Sequence, residues 1–204
     1  MKKFAFVFLL FYDVGVVCLF AQESEFKKRE VGITFSPSGT NDVITFVPKE
    51  GAAWYSGTGF WNVGVMYVAG INKWLSAETG LEFSHQYIQI HPNLPPGEDE
   101  SIRDDDFSLV NIPLMLRADF LKYFFVNGGL LFSLDPSMNN PIGTQTGLGA
   151  NLGLGLKYEF KNRMSLFVNP YLRLYSILPF ALTDHEQGVV ESGFRIGLTY
   201  NLKK

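Results

Sequence analysis

Histidine is the side chain in this sequence best suited to act as a general base, and the chain has only three, His85, His91 and His185. A serine-type hydrolase needs a nucleophile, a base and an acid held together at one place. Ser84 directly precedes His85, but consecutive residues of a β-strand point to opposite faces. No serine spacing pairs with His91 or His185 in the polar segments that contain them. We therefore predict no catalytic residue, and no metal or cofactor site, because no two histidines have ligand spacing.

Eight charged residues, four acidic and four basic, stand singly inside otherwise apolar or glycine-rich segments. Isolated charges of this kind either form an ion or proton path, or pair with one another in a closed interior. We expect the second arrangement, a structural network of ion pairs, with the ion path as the alternative. The residues are Glu78, Glu82, Arg117, Lys157, Glu159, Arg173, Glu191 and Arg195.

These charges lie on segments in which apolar and polar residues alternate with a period of two. The clearest segment is 147–160, where leucines alternate with Gly, Asn, Lys and Glu. Such alternation predicts a strand with one apolar and one polar face. The same pattern predicts eight strands in all: 30–36, 60–71, 77–87, 110–118, 124–132, 147–160, 166–175 and 190–202.

Long and short connections alternate strictly between these strands. The short ones lie near 72–75, 119–122 and 160–163. The long ones are polar and rich in Gly, Pro, Asn and Asp: 37–59, 91–106, 135–146 and 176–189. This layout is typical of outer-membrane proteins. It predicts an all-β chain folded as a closed eight-stranded antiparallel up-and-down transmembrane β-barrel.

The alternative is a lipocalin-like barrel in water, with its apolar face turned inward around a ligand. Its outer surface would then consist largely of glycine with very few charges. With the aliphatic faces outward, the aromatic residues instead gather beside the short turns, as in the girdle of a membrane barrel. The predicted periplasmic girdle is Trp74, Phe120, Tyr123, Tyr158, Phe160 and Tyr200.

The first residues have the features of an export signal. Two lysines precede an apolar run that ends before Ala21, and a polar stretch follows. We predict a cleaved signal peptide over 1–21, a short periplasmic N-terminal segment over 22–29 and the barrel over 30–204. An uncleaved anchor is the first alternative. Lipidation at Cys18 is the second, and it is disfavoured because Val17 is not a small residue.

Four segments resemble the Bacteroidetes-type outer-membrane β-barrel domain, the family that includes PorT-like proteins. They are SLVNIPLMLR at 108–117, YFFVNGGLLF at 123–132, GLGANLGLG at 147–155 and GFRIGLTY at 193–200. The resemblance covers roughly 30–204 and implies an eight-stranded barrel in the outer membrane. It carries over no catalytic residue. Many outer-membrane barrels end on an aromatic residue, whereas here four residues follow Tyr200.

The expected location is thus the outer membrane of a Gram-negative bacterium, and the expected role is structural or surface-interacting, without enzymatic activity. The alternatives are a lipid A-modifying enzyme and an accessory of a secretion or surface-assembly machine. Expected partners are outer-membrane lipid and lipopolysaccharide, the barrel-insertion machinery, and a protein or glycan at the four long loops. Nucleic acid is not expected, because 17 Lys and Arg face 20 Asp and Glu without a basic cluster.

Overall fold

The computed structural model describes residues 28–45, 53–93, 101–137, 140–180 and 187–202, and the nine strands in these ranges form one sheet. The predicted signal peptide and residues 22–27 lie outside the described residues. The strands are β1 (Arg29–Ser36), β2 (Gly39–Thr45), β3 (Trp54–Gly70), β4 (Leu75–His91), β5 (Arg103–Phe120), β6 (Phe124–Leu134), β7 (Gly147–Glu159), β8 (Met164–Pro179) and β9 (Gln187–Asn201).

The nine strands occupy eight positions of a closed ring. β1 pairs with β3 on one side and with β9 on the other, which closes the sheet, and the neighbouring strands are antiparallel throughout the described residues. β2 continues along the same edge of β9, from Gly39 opposite Gly193 to Thr45 opposite Gln187. Pro37, which has no backbone N–H to donate, lies in the break between β1 and β2. The predicted closed eight-stranded up-and-down barrel is confirmed.

The predicted loop 37–59 is wrong in part, because it contains β2 and the first residues of β3. A bulge in β3 between Gly57 and Gly59 admits the Asn41 side chain. Asn41 Oδ1 accepts from the Gly59 N–H at 2.7 Å, and Asn41 Nδ2 donates to the Tyr87 carbonyl at 3.0 Å. Gly57 is required here because a Cβ would overlap the backbone of Asn41. These contacts hold β2 to the wall, and the alternation of apolar and polar residues does not predict them.

Two other predicted loops are shorter than expected. β4 and β5 extend their ladder to Ile90 opposite Arg103, so their connection covers 92–102 and not 91–106. β8 continues to Pro179 and β9 begins at Gln187, so the last long connection covers 180–186. Backbone pairing tolerates polar side chains at a water-facing strand end, which hides the strand from a hydropathy pattern. The connection 135–146 has the predicted bounds.

The two faces of the barrel differ sharply in chemistry. On β7, Leu152, Leu154 and Leu156 are more than half exposed on the outer wall, whereas Asn151 and Lys157 are buried in the interior. The same division holds on the other long strands, where Leu, Val, Ile and Phe face outward and Glu, Arg, Asn and Ser face inward. Among the described residues, no helix is long and apolar enough to cross a membrane.

Candidate functional site

Four charged side chains from three strands meet in the middle of the barrel interior. Arg195 Nη2 of β9 lies 2.6 Å from Glu78 Oε1 of β4, and Arg195 Nη1 lies 3.4 Å from Glu82 Oε1. Arg173 Nη2 of β8 lies 2.7 Å from Glu82 Oε2. All four are almost fully buried, so each charge is balanced across the interior by a charge from the opposite wall. With Glu191, they are called the central network.

Glu191 is the most heavily hydrogen-bonded carboxylate of this network. It is fully buried, and the Arg173 guanidinium lies 3.6 Å from it. Four neutral groups donate to its two oxygens: Asn62 Nδ2 at 2.8 Å, Tyr171 Oη at 2.7 Å, Gln86 Nε2 at 2.6 Å and Tyr175 Oη at 2.9 Å. These donors come from β3, β4 and β8, so one carboxylate ties three strands to β9. Such a satisfied buried group fixes the register of the strands that hold it.

An apolar layer lies next to the central network, toward the end of the barrel where the short turns join β3 to β4, β5 to β6 and β7 to β8. This end is called the turn side. The layer consists of Met66, Val68, Phe125 and Phe167. The rings of Phe125 and Phe167 meet edge to face with centroids 5.8 Å apart. A Cβ added at Gly155 would meet the Phe125 ring, and one added at Gly197 would meet the Phe167 ring. Glycine on the inward face therefore gives these rings their room.

A second group of charges lies on the other side of this layer and is called the turn-side cluster. The Arg117 guanidinium lies 3.6 Å from the Phe125 ring centroid, and its Nε donates to Asp119 at 3.2 Å. Lys157 Nζ lies 2.7 Å from Glu159 Oε1.

Lys28, just before β1, closes the cluster. Its Nζ lies 2.9 Å from Glu30 Oε1 and 3.2 Å from Glu159 Oε1. Burial lowers the pKa of the Lys28 ammonium, but the carboxylates of Glu30 and Glu159 raise it, and the net shift is upward. Lys28 therefore stays charged and ties the N-terminal end of the barrel to β7.

At the opposite end of the interior, beside the long connections, apolar side chains pack with part of the connection 135–146. The mouth cluster consists of Ile88, Phe107, Leu109, Leu131, Ile142, Tyr175 and Val189. Ile142 belongs to the connection 135–146, which therefore enters the barrel. Gln145 of the same connection is fully buried, and its Nε2 donates to the Gln187 carbonyl at 3.1 Å. Ser176 Oγ donates to the Gln145 carbonyl at 2.5 Å.

A compact group of polar and aromatic side chains, called the His85 cluster, lies on the outer wall near the loop end of β4 and β5. His85 stands directly opposite Ser108 in the ladder, and Ser108 Oγ lies 2.9 Å from His85 Nδ1. Asp106 Oδ2 lies 3.6 Å from His85 Nε2. The rings of Trp61 and Tyr87 flank the imidazole, with centroids at 5.8 and 4.7 Å. A hydroxyl, an imidazole and a carboxylate are thus aligned on the wall.

Comparison with solved structures relates this barrel to known ones. The chain is similar to the outer membrane protein OprG from Pseudomonas aeruginosa, with a TM-score of 0.54 and 12% identity over 87% of this chain and 96% of that one. It is also similar to the outer membrane protein AlkL, with a TM-score of 0.53 and 12% identity over 87% of this chain and 91% of that one. The chain has the fold of these outer-membrane barrels. Neither a family model nor a curated protein sequence matches it.

In this outer-membrane barrel fold, the eight predicted charges separate into two groups. Glu78, Glu82, Arg173, Glu191 and Arg195 form the central network, whereas Arg117, Lys157 and Glu159 belong to the turn-side cluster. Glu159 is the last residue of β7. Its side chain pairs with Lys157 and Lys28 at the rim of the barrel, where it is 56% exposed.

The six predicted girdle aromatics all lie exposed beside the short turns. The rings of Tyr123 and Tyr158 stack with centroids 6.4 Å apart, and Tyr158 meets Phe160 at 5.0 Å. Sequence reasoning missed the neutral donors of Glu191 and the serine partner of His85. Ser108 could be identified as the partner of His85 only from the register between β4 and β5. That register depends on the length of their polar connection, which has no hydropathy pattern.

Proposed function

We propose that this chain is an outer-membrane β-barrel with a sealed interior and a structural or surface-interaction role. The support for the location is the apolar outer wall with its aromatic residues at the turns, together with the fold likeness to OprG and AlkL. A wall of exposed Leu, Val and Phe is stable against hydrocarbon and not against water. In this orientation the short turns face the periplasm and the long connections face outward.

The layering of buried side chains along the barrel axis is the observation that supports the proposal. The mouth cluster, the central network, the apolar layer and the turn-side cluster follow one another along the axis. An eight-stranded barrel is only wide enough for side chains to fill it. The pair formed by Arg195 and Glu78, with Nη2 and Oε1 2.6 Å apart, crosses this space between opposite walls. The charges are therefore assigned to holding the barrel closed, and not to an ion path.

Conductance of the purified full chain in planar bilayers tests the sealed interior. No channel steps above the background of the detergent are expected. The matched variant replaces Arg195 and Phe167 by Ala, which removes one side chain from each of two adjacent layers, and folding is checked by heat-modifiable mobility on gels. Stable single-channel steps from the unmodified chain would overturn the proposal.

The finer parts of the proposal concern processing, family and partners. We propose cleavage of the signal peptide 1–21, which mass spectrometry of the mature protein tests by an N-terminus at Gln22. The PorT-like resemblance supports an accessory role in a secretion or surface-assembly machine as the second candidate. Affinity capture from native outer membrane tests this candidate and the proposed partners, which are lipopolysaccharide, the insertion machinery and a protein or glycan at the long connections.

A further inference from the structure

The His85 cluster has the parts of a serine hydrolase site on the outer face of β4 and β5. An imidazole with its proton on Nε2, facing Asp106, has its lone pair on Nδ1, facing the Ser108 hydroxyl. In the best-known triads the serine meets Nε2 and the acid meets Nδ1. Here the two nitrogens exchange places, while the sequence of hydroxyl, base and acid is the same. Asp106 is more than half exposed, and Ser108 is half-buried.

The height of this cluster on the wall points to a lipid substrate. His85 is ten residues beyond Leu75, the first residue of β4 beside the turn-side aromatics. At about 3.3 Å per residue and a strand tilt of about 40°, this places His85 about 25 Å from the turn side. The apolar band of an outer-membrane barrel is about 25 Å tall. The cluster therefore lies at the loop-side edge of the band, where acyl esters meet their headgroups.

An open apolar groove of about 700 Å³, lined by residues of β1, β3, β4, β5, β8 and β9, crosses the outer wall on the turn side of the cluster. Phe83 and Val110, which line the groove, are the next outward residues after His85 and Ser108 and face each other across the ladder. Leu81, Val63 and Val65 continue the lining along the wall. An acyl chain that follows this groove to Phe83 and Val110 would bring its carboxyl end near Ser108. Ser108 itself does not line the groove, and its hydroxyl lies one outward position beyond Val110.

The loop side of the cluster is acidic. Asp104 and Asp106 both project from the outward face of β5, and Gln89 donates to Asp104 at 2.9 Å. Two carboxylates at this position repel a purely anionic headgroup and attract an ammonium group. We propose that Ser108, His85 and Asp106 hydrolyse the acyl ester of a glycerophospholipid with an ammonium headgroup, of the phosphatidylethanolamine class. This activity is independent of the sealed interior proposed above.

The reaction follows from the positions of the three groups. Ser108 Oγ attacks the ester carbonyl carbon while His85 takes the hydroxyl proton, and Asp106 stabilises the imidazolium. The carbonyl–alkoxy bond then breaks, His85 gives its proton to the leaving lysolipid oxygen, and the acyl chain remains on Ser108. Water attacks this acyl-serine by the same route, releasing the fatty acid and restoring the serine. The rings of Trp61 and Tyr87 lie beside the imidazole, with centroids 5.8 and 4.7 Å from its own.

The test uses the purified full chain in mixed micelles of phosphatidylethanolamine, with free fatty acid and lysolipid measured by mass spectrometry. The unmodified chain is expected to release both products in equal amounts. Ser108→Ala and His85→Gln are each expected to reduce the rate at least ~10³-fold, and Asp106→Asn about 10²-fold. Ser192→Ala is the matched control, because Ser192 is exposed on the outward face of β9 away from the cluster, and its rate is expected to be unchanged.

Two further arms fix the substrate class and the nucleophile. Phosphatidylglycerol, which lacks the ammonium group, is expected to react about tenfold more slowly at low ionic strength. A fluorophosphonate probe is expected to label Ser108 in the unmodified chain, and heat-modifiable mobility verifies that each variant is folded. Release that is absent, or unchanged in folded Ser108→Ala, would overturn the site. Deacylation of lipopolysaccharide without release from phosphatidylethanolamine would overturn the headgroup assignment.

Discussion

Arg195 of β9 places its Nη2 atom 2.6 Å from Oε1 of Glu78 of β4, so that one ion pair spans the barrel between opposite walls. Both side chains are almost fully buried, and Arg195 also contacts Asn169 Oδ1 at 3.1 Å. The Cζ atom of its guanidinium lies 5.4 Å from the centroid of the Phe167 ring. One arginine thus joins the central network to the apolar layer.

Removing one partner of this pair is expected to destabilise the barrel strongly. Arg195→Met leaves Glu78 buried without its cation, and breaking a buried pair from one side costs about 3–5 kcal/mol. Guanidinium unfolding of the barrel in lipid, followed by tryptophan fluorescence, measures the loss. The double variant Glu78→Leu/Arg195→Met removes both charges and is expected to recover most of it. A double variant as unstable as the single one would contradict the pairing.

The packing of the apolar layer is tested at Gly197. A Cβ at this position would meet the Phe167 ring, so Gly197→Ala is expected to destabilise by about 1–3 kcal/mol in the same unfolding experiment. Gly128→Ala is the control, because its Cβ would meet only the Leu152 Cδ1 atom and the Asn151 carbonyl, at 3.2 and 3.4 Å. Equal losses at the two glycines would contradict the assigned role of Gly197.

The orientation of the wall is tested by placing a charge at two heights. Leu154 is 55% exposed in the middle of β7, and Leu154→Arg is expected to cost about 2–4 kcal/mol in a bilayer. Phe160→Arg lies at the turn-side edge, where the cost falls to about 0–1 kcal/mol. Stability in lipid vesicles measures both variants. Equal costs would indicate that these two positions do not lie at different depths.

The fold was predictable because the alternation of period two is set by hydrocarbon outside and polar groups inside. Leu152 and Leu154 alternate with glycines on β7, and no helix produces that spacing. The alternation no longer identifies a strand where the outer face of the barrel meets water and not lipid. β2 and the loop end of β5, which contains Asp104 to Asp106, are paired strands. Their polar side chains give these segments the composition of a loop.

The sites were less predictable because they depend on register across long connections. Each charge of the central network was assigned to the inward face, but the choice of partner, such as Arg173 for Glu82, depends on which strands face each other across the ring. His85 illustrates the same limit. Its sequence neighbour Ser84 faces the interior, whereas its structural partner Ser108 lies on the next strand, beyond a connection without pattern.

The connection 135–146 is expected to be a structural lid that is not required for the seal. Asp135 holds it, since its Oδ2 accepts from Asn140 Nδ2 at 2.6 Å and from the Gln145 N–H at 3.1 Å. Asp135→Ala removes both hydrogen bonds, and hydrogen exchange of the backbone around Gln145 is expected to accelerate at least tenfold. Lys161→Ala, in an exposed turn at the other end, serves as the control.

Conductance measurements on Asp135→Ala test which layer of the interior blocks the passage of ions. Because the central network and the apolar layer lie deeper than Ile142, opening the lid is expected to leave the planar-bilayer conductance at background. The faster exchange of the lid should therefore occur without channel steps. Channel steps in this variant would place the seal at the mouth cluster, and they would assign the buried ion pairs of β4, β8 and β9 a role other than closure.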